Sequence, residues 1–422
     1  MASALTHPLT HNLPAEGGVL DLAAYCGGGG YQGLEAARKL APGAITDQVK
    51  AANLRGRGGA GFPTGVKWST VPMGAAAARP KYIVVNADEM EPGTFKDRLL
   101  MEQNPHVLLE GIAIAARAVE AEAAYIFLRG EYTLCAGRLR QAMAEASAAG
   151  MLEGFRVHLH TSAGRYMCGE ETGMLNALEG KRANPRTKPP YPGVSGLWGK
   201  PTVINNVETL ANVPGILAHG VEWYRGLSHS GDGGTKLYGV SGMVQRPGLW
   251  ELPMATTVGA ILEQAGGMRE GRRLRGLLPG GASTAFLTPD HLDVAMDFSA
   301  VQKAGSRMGT GTMIVLDDGA CPVGMVANLI HFFARESCGW CTPCWSGLGW
   351  ADRLLAALEA GEGQAGDLEK LEQLAGFWGP GATFCALAPG AADPLLSALK
   401  YFREDFERHL REHRCPWGGG DA

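Results

Sequence analysis

YIVVNADE (residues 82–89) and AAYIFLRGEY (123–132), with HVLLEGIAIAARAVEA (106–121) between them, decide the fold. Each outer stretch is a short apolar run rich in β-branched and aromatic residues, which predicts a strand. The middle stretch is too long for one strand and predicts a buried helix. Strand, helix and strand in succession predict an α/β sandwich with a largely parallel sheet. Upstream, AITDQVKAANL (44–54) puts Ile45, Val49 and Ala52 on one side of a helix that leads into a glycine-rich loop. Downstream, TKLYGVSGMV (235–244), RPGLWELP (246–253) and GTMIVLDD (311–318) are β-rich segments around a helix, TVGAILEQAG (257–266), and predict a small α+β unit. Beyond residue 326 the pattern is helical. In PLLSALKYFREDFERHLREH (394–413), Leu395, Leu399, Phe402, Phe406 and Leu410 recur at steps of three and four, as on one helix face. The resulting division is a leader plus α/β domain over 1–230, a small domain over 231–325 and a helical domain over 326–422.

Composition narrows the function. The 422 residues are 45% hydrophobic and 19% charged, with a net charge of -4, enough for two or three domains with a substantial core. No basic run of five or more residues is present, so nucleic acid is not an expected partner. No stretch of 18 apolar residues occurs either; GIAIAARAVEAEAAYIFL is broken by Arg117, Glu120 and Glu122, and membrane association is expected only through partner subunits. The nine cysteines are an odd number, and MASALTHPLTHNLPAEGG lacks the form of a secretory signal, which points to thiols in a reducing cytoplasm. The 61 glycines are dispersed between periodic segments and read as turns and ligand-approach sites.

Three groups of residues carry chemistry. ESCGWCTPCWSG holds Cys338, Cys341 and Cys344 at two-residue gaps, and Cys385 follows in ATFCALAPG. A triple plus a distant fourth thiol suits a cubane iron–sulfur cluster; four-cysteine zinc sites more often come as two separate CxxC pairs. NLRGRGGAGFPTGVKW (53–68) places Gly56, Gly58 and Gly61 at GxGxxG spacing, but a helix rather than an apolar strand precedes it, so the dinucleotide fingerprint is not met. What remains is a loop over Gly56, Arg57, Gly58, Gly59, Ala60 and Gly61 whose four glycines lack Cβ atoms, with Phe62 beside it and Arg55, Arg57 and Lys67 as cations for a phosphate. NADEMEPGTFKDR (86–98) sets Asn86, Asp88, Glu89 and Glu91 directly after a strand, where α/β sheets bind ligands; a helix cap is the competing role for these carboxylates. The same polar bunching recurs at Gly169, Glu170 and Glu171, and at the adjacent amides Asn205 and Asn206. Between them Lys188 offers charge to a phosphate and Tyr191 an aromatic plate.

Over about residues 20–415 these motifs resemble the family of flavin-bearing, NADH-oxidising F subunits of the proton-pumping NADH:quinone oxidoreductase, respiratory complex I. The resemblance rests on GRGGAGFPTGxKW, NADExEPGTxKDR, CGEETxxLNxLEG, GLWGKPTxINNVET, VSGxVxRPGxxELP, and ESCGxCTPC followed by FCALAPGA. It implies a Rossmann-like flavin and NADH domain, a β-grasp (ubiquitin-like, soluble-ligand-binding-type) domain, and a helical bundle with a [4Fe–4S] cluster on Cys338, Cys341, Cys344 and Cys385. It implies FMN contacts at Gly56, Gly58, Lys67, Asn86, Asp88, Glu89, Gly169, Glu170, Glu171, Asn205 and Asn206. NADH contacts are implied at Phe62, Glu91, Tyr166, Lys188 and Tyr191, with Glu91 and Tyr166 nearest the nicotinamide. No side chain is implied as a nucleophile or acid, because the cofactors carry the chemistry: hydride to FMN, then single electrons to the cluster. The implied partners are a thioredoxin-like [2Fe–2S] subunit and a large multi-cluster iron–sulfur subunit, on the cytoplasmic side of the inner membrane.

Thr70, Tyr191 and Trp345 depart from the family pattern, which has an aromatic residue, Phe and Arg at those places. Trp345 removes a cation that would raise the cluster's potential. Cys168 reads as a small buried residue, Cys26, Cys135, Cys321 and Cys415 receive no role, and the histidines show no metal-ligand spacing. The diaphorase subunit of a soluble NAD-linked hydrogenase or formate dehydrogenase is the competing enzyme. Those often carry an extra [2Fe–2S] domain, for which the roughly 50 residues before the glycine loop leave no room. A non-enzymatic iron–sulfur or zinc scaffold is the competing class outside enzymes.

Overall fold

The apolar runs around residues 82 and 123 form neighbouring parallel strands, β1 (Tyr82–Ala87) and β2 (Ala123–Leu128), joined by the helix Pro105–Val119. The structure, a computed structural model, describes residues 5–14 and 17–418. Two further strands, β3 (Arg156–Thr161) and β4 (Thr202–Asn206), complete a parallel sheet in the order β3-β2-β1-β4. The crossover helix is well bounded: Asn104 caps it by accepting from the Val107 N–H, Pro105 occupies its first turn, and Glu120 ends it in the left-handed conformation. Leu108, Leu109, Ile112 and Ile114 are fully buried, each contributing about 1.5–3 kcal/mol of hydrophobic stabilisation. Gly111 is required where this helix meets the helix Val207–Ala211, since a Cβ there would lie 2.1 Å from the Leu210 carbonyl oxygen.

The chain divides into two compact units: one of residues 1–90, 95–238 and 250–256, the other of 91–94, 239–249 and 257–422. The parallel sheet belongs to the first. A second sheet is built from β5 (Thr235–Ser241), β6 (Gly248–Pro253), β7 (Leu274–Leu278) and β8 (Thr312–Asp317) in the order β6-β5-β8-β7. β5 runs parallel to β8, with Gly239 opposite Thr312, and β7 runs antiparallel to it. The helix Val258–Gln264 lies where the sequence predicts one, capped by Thr257. β7 is an addition to the predicted segments.

The C-terminal part of the second unit is helical as expected: Pro322–Glu336, Thr342–Glu359, Asp367–Gly376, Leu387–Tyr401 and Arg403–Glu412. The single last helix predicted over 394–413 is two helices. Phe402 sits between them at φ -125°, ψ 24°, outside helical geometry, while its ring stays buried beside Phe286. Leu395, Leu399, Phe402 and Phe406 are buried as the spacing predicts, and Leu410 is half-buried.

Candidate functional site

In the first unit, strand order reverses between β1 and β4, because the chain adds β2 and β3 on one side of β1 and β4 on the other. Open α/β sheets bind ligands at such a switch point, beyond the C-terminal strand ends. Asn86 ends that part of β1 opposite Asn206, and Val85 lies opposite Asn205. The glycine loop rests on the same place. It is closed by the Gly56 N–H donating to the Phe62 carbonyl (2.9 Å) and the Thr64 N–H donating to the Leu54 carbonyl (2.8 Å), with Gly59 and Gly61 at positive φ. A Cβ on Gly58 would stand 3.0 Å from the Asn206 Cβ, so glycine lets the loop approach β4.

Around this point the predicted residues take distinct places. Trp68 Nε1–H donates to Asn205 Oδ1 (2.8 Å), so what Asn205 has left to offer a ligand is its N–H donors. Asn206 caps the helix Val207–Ala211, accepting from the Thr209 N–H (3.3 Å), and donates to Asp97 (2.6 Å). Asn86 donates to the Gly169 carbonyl (3.1 Å), and Asp88, buried, accepts from the Ser162 hydroxyl (2.7 Å). Gly169 is exposed, with no atom within 4 Å of where a Cβ would sit, and the half-buried Tyr166 begins the same short turn. Glu170 caps the helix Glu171–Leu178 through the Thr172 and Gly173 N–H groups (2.8 and 2.7 Å). Burial opposes the charge on Glu171, but Lys67 (3.3 Å) and Lys188 (2.8 Å) outweigh it and hold the carboxyl below the usual range. Phe62 and Tyr191 present exposed rings, 51% and 61% accessible.

Several predicted residues are placed otherwise than the bare motif indicates. The Arg57 guanidinium is fully buried and donates to the Gly233 (2.8 Å) and Thr235 (3.0 Å) carbonyls, so its charge is spent inside the unit instead of facing a ligand phosphate. Arg55 turns back to the Gly61 carbonyl and to Asp232, leaving Lys67 and Lys188 as the cations among the carboxylates. Glu89 accepts from the Asp97 (2.8 Å) and Arg98 (3.1 Å) N–H groups at the start of the helix Lys96–Gln103, the capping role weighed against ligand contact; burial, then the nearby Asp97 charge, lifts it to about 7. Glu91 lies in the second unit, where it accepts from the Ser283 N–H (2.6 Å).

Sequence reading missed the buried charges beneath the switch point. Lys96 Nζ lies 2.8 Å from Asp97 and 2.7 Å from Glu208, and Lys236 Nζ lies 3.1 Å from Glu208, all essentially inaccessible. Burial alone would raise Glu208, but Lys236 and Lys96 outweigh it and pull the carboxyl to about 2. The network anchors Asn206 through Asp97. The only signal in the sequence is position: charged residues pressed against the apolar runs that carry the site.

In the second unit, Cys338 follows the helix Pro322–Glu336, Cys341 caps the helix Thr342–Glu359, Cys344 lies in its first turn, and Cys385 precedes the helix Leu387–Tyr401. The Phe384 N–H donates to Cys341 Sγ (3.4 Å), which brings the Cys385 segment to the triple. Ser337 Oγ lies 3.3 Å from Cys344 Sγ. Burial, then the neighbouring Cys338 and Cys341, pushes the Cys344 thiol up to about 11, as expected where thiols converge without a cation. An all-thiol donor set, three of its members at or beside helix N-termini, fits an iron–sulfur cluster. In the first unit, an exposed glycine surface with amide donors and carboxylates fits a flat ring bearing a polyhydroxyl chain.

Fold and sites together define a flavin- and iron–sulfur-binding oxidoreductase subunit. The Nuo51 FMN-binding domain matches residues 49–215, the SLBB domain 237–287, and the NADH-ubiquinone oxidoreductase-F iron-sulfur binding region 324–409, which contains all four cysteines. The chain belongs to the family of NADH-quinone oxidoreductase F subunits: it is 56% identical over 417 residues to the F subunit of Escherichia coli (strain K12), covering 96% of this chain and 94% of the relative. The F subunit of Mycobacterium tuberculosis (strain CDC 1551 / Oshkosh) is 47% identical over 93% of this chain and 90% of its own. Crystal structures of NAD+-reducing [NiFe]-hydrogenase are also similar: the air-oxidized state with TM-score 0.80 at 37% identity over 87% of this chain, the H2-reduced state with 0.83 at 35% over 94%. The chain spans 63% and 68% of the two hydrogenase chains.

Proposed function

We propose that this chain is the NADH-oxidising electron-entry subunit of a respiratory complex I. The observation that carries the reading is the presence, on one chain of this family, of an open glycine and amide surface at a sheet switch point and of a cysteine triple to which the Cys385 segment is hydrogen-bonded. Bound FMN would supply acceptance of a hydride from NADH and its release as single electrons, and a [4Fe–4S] cluster would supply a one-electron acceptor. The protein's part is positioning and electrostatics. Gly56, Gly58, Gly59, Gly61 and Gly169 offer backbone to the flavin without Cβ obstruction, with Ala60 in the same loop. Asn205 donates, Asn86 and Asp88 set the polar edge of β1, and Asn206 holds the loop's floor. Lys67 and Lys188, poised on Glu171, offer charge to phosphate, and Phe62, Tyr166 and Tyr191 offer rings to the nucleotide. Cys338, Cys341, Cys344 and Cys385 hold the cluster. The division into domains at 1–230, 231–325 and 326–422 assigns these tasks to the first and third.

As a family member the chain works in a multi-subunit complex as a peripheral subunit, and among the described residues no helix is long and apolar enough to cross a membrane. The partners proposed are a thioredoxin-like [2Fe–2S] subunit and a multi-cluster iron–sulfur subunit, on the cytoplasmic side of the inner membrane. The exposed Trp340, Trp345 and Phe384 beside the cluster cysteines give such a partner an apolar surface to cover. The hydrogenase similarity favours a second reading, the diaphorase subunit of a soluble NAD-linked enzyme. Anaerobically purified protein should show flavin bands and a broad cluster absorption, both bleached by NADH; a colourless protein overturns both readings. Co-purification with quinone-reducing subunits supports the first, and with a hydrogenase or formate dehydrogenase the second.

A further inference from the structure

Four residues outside both cofactor sites turn one donor atom each toward a common point in the second unit. Cys321 Sγ, a Glu359 carboxylate oxygen, a His409 ring nitrogen and Cys415 Sγ all lie within 4.8 Å of one another. Cys321 Sγ is 3.1 Å from Glu359 Oε1 and 3.4 Å from His409 Nε2, and Nε2 is 3.0 Å from Oε1. Ligand bonds of about 2.0–2.3 Å around tetrahedral zinc put donor atoms roughly 3.3–3.8 Å apart, so Cys321, Glu359 and His409 need to spread by at most a few tenths of an ångström to accept one ion, with Cys415 within 4.8 Å of each.

The surroundings orient the donors for a metal. His409 Nδ1 lies 2.7 Å from the Asp405 carbonyl oxygen, to which it donates, so Nε2 is the nitrogen that faces the other donors, and the proton it shares with Glu359 is the one a metal would displace. Cys321 caps the fifteen-residue helix Pro322–Glu336 and accepts the Gly324 N–H (3.2 Å); burial and the Glu359 carboxylate hold its thiol well above the usual range, so a metal has to displace its proton. His409 is 1% exposed, and the Trp417 ring stacks on it with centroids 6.0 Å apart. The backbone allows the C-terminal segment to return closely: after Glu359, Gly361 takes φ +78°, and a Cβ there would lie 2.1 Å from the His413 carbonyl oxygen. The donors come from the start of one helix, the end of the helix Thr342–Glu359, the helix Arg403–Glu412 and the segment after it.

We propose that Cys321, Glu359, His409 and Cys415 bind one structural zinc ion, which ties the C-terminal segment to two helices of the iron–sulfur unit. Two sulfurs, one imidazole and one carboxylate complete a tetrahedron with no open position, which suits zinc in a structural and not a catalytic role. Binding releases the two thiol protons and the His409 Nε2 proton to solvent. The site takes no part in the electron path and stands independently of it.

The test is metal analysis of the full-length chain purified with its flavin and cluster. Wild type should hold about one zinc per chain, with Zn K-edge absorption fitting two sulfurs near about 2.3 Å and two lighter donors near about 2.0 Å. His409→Ala and Cys415→Ser should each lose it while iron, sulfide and FMN contents stay at the wild-type level. Cys415 lies beyond the last helix, so its variant keeps the helical unit should His409→Ala fail to fold. Absence of zinc from wild type after equimolar Zn2+ addition and gel filtration overturns the proposal. So does zinc that persists in both variants, another metal in its place, or a Cys321–Cys415 disulfide seen by mass.

Discussion

Glu208→Gln removes one negative charge and almost no volume from beneath the sheet switch point, which makes the buried network measurable. In the wild type the Glu208 carboxylate faces Lys96 at 2.7 Å and Lys236 at 3.1 Å and accepts the Leu237 N–H at 2.8 Å, all out of solvent. The amide can still accept from Leu237, and Lys96 keeps Asp97 at 2.8 Å, but Lys236, which burial draws down to about 7 even beside Glu208, loses the anion that sustains its charge. Breaking a buried pair on one side costs about 3–5 kcal/mol. For a unit of this size each kcal/mol shifts the unfolding midpoint by about 2–4 °C, so the expected loss is about 6–20 °C. Thermal unfolding followed by circular dichroism at one scan rate reads it, and FMN fluorescence should report release before or with unfolding, because Asp97 also holds Asn206. In Glu208→Gln/Lys236→Met both charges are gone, and the double variant should recover at least half of the loss. A double variant whose loss equals the sum of the singles, or a single variant whose midpoint matches wild type, would refute the coupling.

Cys341→Ala should abolish electron delivery to the cluster while NADH-to-ferricyanide activity stays partly intact; loss of flavin reduction in a folded, FMN-loaded variant would contradict the division between the two sites. Glu171 has its pKa depressed by Lys67 and Lys188, so the stability this carboxylate contributes is fully present above its unfolded pKa of about 4.3 and is lost as pH falls through the lower folded value. Lys188→Gln should therefore move acid-induced FMN release to higher pH, and an unchanged release profile would count against the pair. Gly58→Val should weaken FMN binding at least about tenfold, about 1.4 kcal/mol, because a Cβ meets Asn206 at 3.0 Å and a branched side chain adds to the crowding; equilibrium dialysis of FMN checks it. Trp345→Arg should raise the cluster potential in a redox titration, by an amount reduced by solvent because Trp345 is 62% exposed.

What could be read along the chain is what local geometry encodes. The parallel strands at 82 and 123 announce themselves because strands buried on both faces are continuous apolar runs, and Cys338, Cys341 and Cys344 because thiols at two-residue gaps form a local motif. The break at Phe402 left no trace: its ring continues the apolar face of the helices on either side, so hydrophobic periodicity runs through a residue whose backbone does not. β7 escapes the sequence pattern because Arg275 interrupts a short segment that becomes a strand through its pairing with β8.

Charge shows the same limit more sharply. In sequence, Arg57 sits in a glycine loop like a phosphate ligand, yet the carbonyls that claim its guanidinium belong to Gly233 and Thr235, 176 and 178 residues away. Lys96, Glu208 and Lys236 look like ordinary surface charges until folding stacks their segments, and only then does each neutralise the others. The cluster of Cys321, Glu359, His409 and Cys415 obeys the same rule: Glu359 and His409 lie 38 and 88 residues beyond Cys321, so no local motif marks them. A buried charge or soft donor is tolerated only with partners, and when those partners are distant in sequence the requirement falls on the fold as a whole. Such groups therefore report on tertiary structure where motifs report on turns, and substitutions at them should disturb stability before they disturb chemistry.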